Sequence, residues 1–316
     1  MTEPAAAPQD HDPSGTRTLP VSACDPWRLN IDLHCHSVIS DGTLAPREVV
    51  RRAARNGVQL LALTDHDEVA GLAEAADEAQ QIGLPFIPGV EISVSWADET
   101  IHIVGLRIDP ADSGLLAGLA SVREGRDARA RQIGEGLARA GFAGAYEGAQ
   151  RFAGNPNLVS RSHFARYLVE IGARPNMKAV FSDYLVRGKP GYVPHRWARL
   201  ADAVGWIRGA GGIAVMAHPA RYRLSETALW ALVDEFRACG GRGIEVLSGS
   251  HSQADAQRFA RWSREFGLAA SRASDFHDPD ESHYDLGCLP LLPDSVEPIW
   301  AGWPEIQALR PHLETA

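Results

Sequence analysis

In the run DLHCHSVISDG (32–42), two histidines one residue apart are followed closely by an aspartate. Side chains at i and i+2 of a strand share a face. His34 and His36 therefore point together, while Cys35 points the other way, toward the core, and has a structural role. Two imidazoles and the carboxylate of Asp41 form a donor set for a divalent ion: imidazole suits Zn, Mn or Fe, and carboxylate suits harder ions. Similar groups recur along the chain: Asp65, His66 and Asp67 in TDHD, Glu91 in GVE, His102 within TIHIVG, His218 in AHP, and Asp275 and His277 in SDFH. One histidine at a strand end is commonly just a polar group facing water. The nine donors His34, His36, Asp41, His66, Glu91, His102, His218, Asp275 and His277 exceed what one ion needs. A carboxylate such as Glu91 commonly bridges ions, so two or three divalent metals are expected.

These residues sit at the ends of short apolar runs separated by helical stretches. Strands are expected at 29–33, 58–64, 85–94, 100–108, 213–218, 243–248 and 268–275. Helices are expected at 46–56, from the second strand to about Gly83, and at 200–210, 225–239 and 252–266. Strand–helix units of this spacing indicate an α/β fold with a parallel sheet, and in a closed parallel barrel the strand C-termini converge on one face. Residues 109–190 carry helical periodicity without a convincing strand and read as a helical insertion or cap. The organisation is a disordered tail (1–27), a first barrel part (28–108), the insertion (109–190) and a second barrel part (191–316).

Composition excludes several classes. With 316 residues, 45% of them hydrophobic, the chain has material for a substantial core; a net charge of −9 argues against a global grip on a DNA duplex or an acidic membrane. No apolar run is long enough to span a bilayer, and the acidic, proline-containing N-terminus lacks the features of a signal peptide. Four cysteines without CxxC spacing suit a reducing cytoplasm. No obligate protein partner is evident. Between 151 and 200, nine Lys or Arg stand against two acids, Glu170 and Asp183. This charge is expected either on a solvated face or over an anion site. The stripe Arg123, Arg126, Arg129 has the i, i+3 spacing of a solvated helical face.

The ordered set DLHxHSxxSDG … TDHD … GVE … H … AHP … SDFH resembles the polymerase and histidinol phosphatase (PHP) family of metallo-phosphoesterases. The resemblance implies a distorted (β/α)7 barrel with a trinuclear centre, held by the nine donors named above. The segments LVSRSHFARYLVE, GKPGYVPHRWA, GWIRGAGGIAVMAHPARY and IEVLSGSHS are similar to the TrpH-like branch of 3′,5′-nucleoside bisphosphate phosphatases and RNase AM 5′→3′ exoribonucleases. This implies hydrolysis of a 3′-phosphate on a nucleoside bisphosphate, or of short 5′-phosphorylated RNA. The alternatives are a phosphatase of a non-nucleotide monoester such as histidinol phosphate, and a metal-loaded regulatory binding protein.

Metals can lower the pKa of water toward about 7 and clamp a phosphoryl group, so no Ser or Cys nucleophile is needed. Manganese is the expected ion, with Fe or Zn as alternatives. Glu91 is the expected bridging carboxylate. Asp65 either orients a metal ligand or caps the following helix. Phosphate contacts are expected from Asp41, Arg161, Ser162, Lys189, His195, Arg221 and His251, with His195 also a candidate proton donor. His163 and His283 receive no function.

Overall fold

The computed structural model describes residues 28–313, so the tail at 1–27 lies outside the described residues. Strands β1 (Ile31–Asp32), β2 (Leu60–Leu63), β3 (Phe86–Trp96), β4 (Glu99–Leu106), β5 (Ile213–Met216), β6 (Gly243–Ser248) and β7 (Ala269–Ala273) form one sheet in chain order. The sheet closes on itself. The Leu33 N–H donates to the Arg272 carbonyl, the Asp275 N–H donates to the His34 carbonyl, and Cys35 bridges Phe276. The result is a seven-stranded α/β barrel, short at β1.

The expectation of a parallel sheet fails at one strand: β4 is antiparallel to both β3 and β5. The cause is local. Trp96 pairs with Glu99, leaving a two-residue turn in which Ala97 and Asp98 have φ of 45° and 61°. Positive φ at both central positions gives a turn that joins antiparallel strands, whereas a parallel neighbour needs a crossover of a dozen or more residues. The Ala-Asp pair lacks the usual Asn-Gly signature of such a turn.

Among the described residues, eleven α-helices follow one another along the chain. α1 (Pro46–Arg55) and α2 (Leu72–Ile82) cover the first strands. α1 starts on a proline whose missing N–H costs the first turn nothing, and α2 stops at Gly83, whose φ of 72° suits glycine. Next come α3 (Ser113–Arg123), α4 (Arg126–Arg139), α5 (Ala145–Gln150), α6 (Arg161–Glu170) and α7 (Met177–Val180), continued by a wide turn over Phe181–Leu185. The last are α8 (Leu200–Gly209), α9 (Glu226–Ala238), α10 (Gln253–Phe266) and α11 (Pro304–Leu313).

Packing divides the helical segment 109–190. Leu115, Leu119 and Val122 of α3 join the barrel's apolar cluster, and Gly118 lies so close to Trp206 of α8 that a β carbon would clash with the indole. Helices α4 to α7 form a separate cluster around Ile133, Leu137, Phe164 and Leu168. They sit as a cap over one end of the barrel. Cys35 is fully buried in the barrel core, its thiol donating to the Ala62 carbonyl at 3.2 Å.

Candidate metal centre

Glu91 lies at the centre of the site and is fully buried. Its Oε1 is 2.8 Å from His102 Nδ1 and 2.9 Å from His218 Nε2. Its Oε2 is 2.8 Å from His66 Nδ1, 3.3 Å from His34 Nε2 and 3.4 Å from His36 Nε2. Asp275 Oδ1 faces His34, His36 and His277 at 3.6, 3.4 and 3.7 Å. Asp41 Oδ1 lies 3.3 Å from His277 Nε2 and 3.7 Å from His66 Nε2. The structure thus brings all nine expected donors together.

Backbone geometry explains the convergence. His34 and His36 follow β1, Asp65 to Asp67 follow β2, and Glu91 bridges to His66 across the sheet. His102 arrives differently: it stands opposite Ser93 within the descending strand β4. Asp67, His218 and Asp275 all have positive φ, at 51°, 27° and 54°. Such conformations are costly for non-glycine residues and cluster at functional sites.

The donors fit metal ions. Asp41 Oδ1, Glu91 Oε2, His66 Nδ1 and His218 Nδ1 are buried and make no well-aligned hydrogen bond, although Glu91 Oε2 and His66 Nδ1 stand only 2.8 Å apart. Among the described residues, three groups place ligand atoms within 4.8 Å of one another: His36, Asp41, His66 and His277; His34, His36 and Asp275; and His66, Glu91 and His102. Ligands about 2.1 Å from a common ion stand roughly 3.0–3.4 Å apart in octahedral or tetrahedral arrangement, and the donor contacts given above, from 2.8 to 3.7 Å, bracket that spacing. His34 Nε2 and His36 Nε2 face each other at 3.0 Å, reasonable for nitrogens that share an ion.

Electrostatics agrees with ligation, which needs neutral imidazole and ionised carboxylate. Burial raises the carboxyl of Glu91, but His102, His66 and His34 overcome this and hold it well below its usual range. Asp41 and Asp275 behave likewise under their own histidines. Burial, reinforced by His277 and His66, pushes His36 down to about 3; burial and Arg221 bring His218 to about 3. Three histidines depart from this pattern. Burial lowers each, yet Glu91 and Asp41 raise His66 to about 9, Glu91, Glu245 and Asp275 raise His34 well above its ordinary value, and Asp41 and Asp275 raise His277.

Two supporting carboxylates hold the donors. Asp65 accepts from the Ser37 N–H and both the Ser37 and Ser40 hydroxyls, and Ser40 Oγ lies 3.4 Å from His36 Nδ1. It does not cap α2, whose N-cap is Gly71. Glu245, which the sequence patterns did not single out, joins His34 Nδ1 at 2.7 Å and accepts the His218 N–H at 2.7 Å. It looked like an ordinary charge within the IEVLS strand. Its only sequence signal was an acid in a run buried on both faces.

The cap brings cations. Arg126 is buried, donates to Asp67 and stacks on Trp197 at 4.4 Å; Arg129 lies 5.3 Å from the same ring. The reading of Arg123, Arg126 and Arg129 as a solvated stripe is therefore corrected. Arg123 donates to the Asp67 carbonyl, and segment 191–199 folds back over the other two. Burial, then Arg161 and Arg126, push Arg129 down to about 9. Arg129 and Arg161 donate to the Val193 and Leu185 carbonyls rather than to carboxylates.

A cavity of about 130 Å³ joins cap and donors, lined among others by Asp41, His66, His218, Arg129, Arg161 and Ser162. The Ser160 hydroxyl at the N-cap of α6 contacts Asp41 Oδ2 at 3.2 Å, so this helix end faces the donors. A groove of about 540 Å³ shares Thr100, Arg129, Arg161 and Trp197 with the cavity and adds Arg187, His195, Arg196 and Arg199. His195 thus lines the groove rather than the donor cavity, its ring 4.2 Å from that of Trp197. Arg221 lines the cavity and donates to Asp275 at 2.7 Å. His251 is bonded to the Val246 carbonyl and near the Ala220 N–H, which supports the loop after His218. Lys189, expected to contact phosphate, is exposed and lines neither space.

Residues 32–218 match the PHP domain. The chain is 56% identical over 282 residues to the 3′,5′-nucleoside bisphosphate phosphatase of Chromobacterium violaceum, covering 89% of this chain and 99% of that protein. It is 44% identical over 278 residues to the 5′-3′ exoribonuclease Rnm of Escherichia coli, covering 87% and 94%. A solved Bifidobacterium adolescentis structure, ascribed a metal-dependent phosphoesterase role, superposes with a TM-score of 0.72 at 28% identity, covering 85% of this chain and 93% of that one. With the barrel, the donor cluster and these similarities in agreement, the chain belongs to the PHP domain family.

Proposed function

We propose that this hydrolase of phosphate esters removes the 3′-phosphate of nucleoside 3′,5′-bisphosphates and cleaves short 5′-phosphorylated RNA from its 5′ end. The observation that carries the reading is the contact between two unlike regions: a buried carboxylate–imidazole cluster and an arginine-lined groove that share one cavity. A bisphosphate needs a place for each phosphate.

Divalent ions, manganese by preference, held by His34, His36, Asp41, His66, Glu91, His102, His218, Asp275 and His277 would supply Lewis acidity for the phosphoryl oxygens and make water acidic enough to attack. Glu91 joins the two imidazole groups. Asp65 and Glu245 fix the orientation of His36 and His34. Arg161 and Arg129, with Ser162 at the start of α6, hold the second phosphate; the planar guanidinium offers two parallel donors, and a helix N-terminus favours an anion. His195 faces the nucleotide in the groove. Arg221 holds Asp275 and borders the reacting phosphate.

The test is a substrate panel on metal-depleted protein reloaded with Mn²⁺: adenosine 3′,5′-bisphosphate, 3′-AMP, histidinol phosphate and a short 5′-phosphorylated RNA. The bisphosphate and the RNA are expected to lead. Preference for histidinol phosphate, or full turnover with no metal present, overturns the reading.

A further inference from the structure

A second cleft, of about 300 Å³, meets the donor cavity and shares no residue with the arginine groove. It shares Ser162, Phe181, Arg221, Asp275 and His277 with the cavity. The groove borders β4 through Thr100, whereas the cleft borders the ends of β6 and β7 through Ser250 and Ser274. These strands lie on different sides of the seven-stranded mouth. The donor cluster therefore has two approaches.

Their chemistries differ. The groove offers five arginines. The cleft offers the hydroxyls of Ser162, Ser250 and Ser282, the thioether of Met177 and the rings of Phe181 and His283; the Ser274 hydroxyl is already bonded to the His34 carbonyl. Its charged groups are engaged within the protein: Glu281 receives a fork from Arg166 at 2.9–3.2 Å, and Asp275 receives Arg221. A wall of hydroxyls and stacking surfaces without a free charge suits a ribose and a base better than a phosphate. Its volume is at the lower end of ligand pockets, about 300–1,000 Å³.

We infer that this cleft binds the nucleoside downstream of the scissile phosphate when the substrate is an oligoribonucleotide. The inference rests on the proposed function above. With the 5′-terminal nucleotide in the arginine groove and its 3′-phosphate at the donor cluster, only the next nucleoside distinguishes RNA from a bisphosphate. That nucleoside leaves the cluster on the side away from the groove. The reaction is then the same for both substrates. The water oxygen bonds to phosphorus, the P–O3′ bond breaks, and one water proton ends on the departing 3′-oxygen while the other goes to solvent. A dinucleotide pNpN yields two nucleoside 5′-monophosphates; a bisphosphate pNp yields one, plus inorganic phosphate. The bisphosphate leaves the second cleft empty.

The test compares pNpN and pNp on Mn²⁺-loaded full-length protein. Ser250 is exposed at the cleft wall, so Ser250→Trp fills the space without disturbing the core. The ratio of kcat/KM for pNpN to that for pNp is expected to fall tenfold or more. His283→Ala, which removes one stacking surface, is expected to lower the same ratio about threefold. A ratio within twofold of wild type for both variants overturns the inference, as does wild-type protein that hydrolyses pNp but not pNpN. If wild type hydrolyses neither, the proposed function itself has failed.

Discussion

At the barrel mouth the chemical groups are placed by backbone; in the cap they are placed by packing. Glu91, His66 and His102 stand on adjacent paired segments, and their positions follow from strand register. Arg126, Arg129 and Arg161 stand on two helices and are held by an indole, by carbonyls and by Asp67. The mouth gathers acids and imidazoles for cations; the cap gathers guanidinium groups for anions. Cluster chemistry leaves little freedom in the first region, whereas the second can be altered one contact at a time.

Glu91→Gln attacks the mouth at its centre and has the largest expected effect. Metal content, measured by elemental analysis, and turnover should fall together, by more than the roughly 10–100-fold that loss of an outer partner costs. Near-normal rates in a metal-free variant would show that the cluster is not the reaction centre. Glu245→Gln keeps the shape but weakens the hold on His34. It is expected to reduce metal affinity by about 10–100-fold, with activity recovering at high Mn²⁺.

On the cap side, Arg161→Ala should lower kcat/KM for the bisphosphate by about 10–100-fold more than for 3′-AMP, since a contact to a charged group is worth roughly 1.5–3 kcal/mol. Equal losses on both substrates would mean that Arg161 does not hold the second phosphate. His163 joins the two regions and gives a pH effect. Burial, opposed by Asp41, brings it down to about 4 from 6.5. It is neutral in the fold, while the unfolded chain takes up a proton below about 6.5. The associated stability is present above that pH and is lost as pH falls toward 4. Urea unfolding at pH 7 and pH 5 should show a smaller stability loss for His163→Gln than for wild type; identical losses would remove His163 as a cause. The smallest effect is expected for Cys35→Ser, whose turnover should stay within about twofold of wild type, because this buried thiol faces the core.

The same contrast explains what could be read from sequence. The donors were legible because alternation along a strand and termination in a polar cluster leave a pattern, as in DLHCH and TDHD. Glu245 left no such pattern, since its role depends on a neighbour at sequence distance 211. Arg126 and Arg129 have a spacing that fits both a solvated and a buried face; the return of Trp197 decides between them. The direction of β4 was hidden for a related reason. Its turn consists of an alanine and an aspartate in a conformation usually taken by glycine and asparagine, so spacing, not residue type, was the only clue.

The descent of β4 also bears on how the molecule can diverge. Because β4 runs down from the mouth, the chain climbs back beside the barrel along α3, and α8 packs against that helix. The cap leaves and rejoins the barrel at neighbouring points: a β carbon on Gly125 would stand 3.6 Å from His195 Cε1. An insert whose two ends nearly touch can be lengthened, shortened or exchanged without shifting any strand. Descendants of such a chain can change what they digest while inheriting the reactive barrel unaltered.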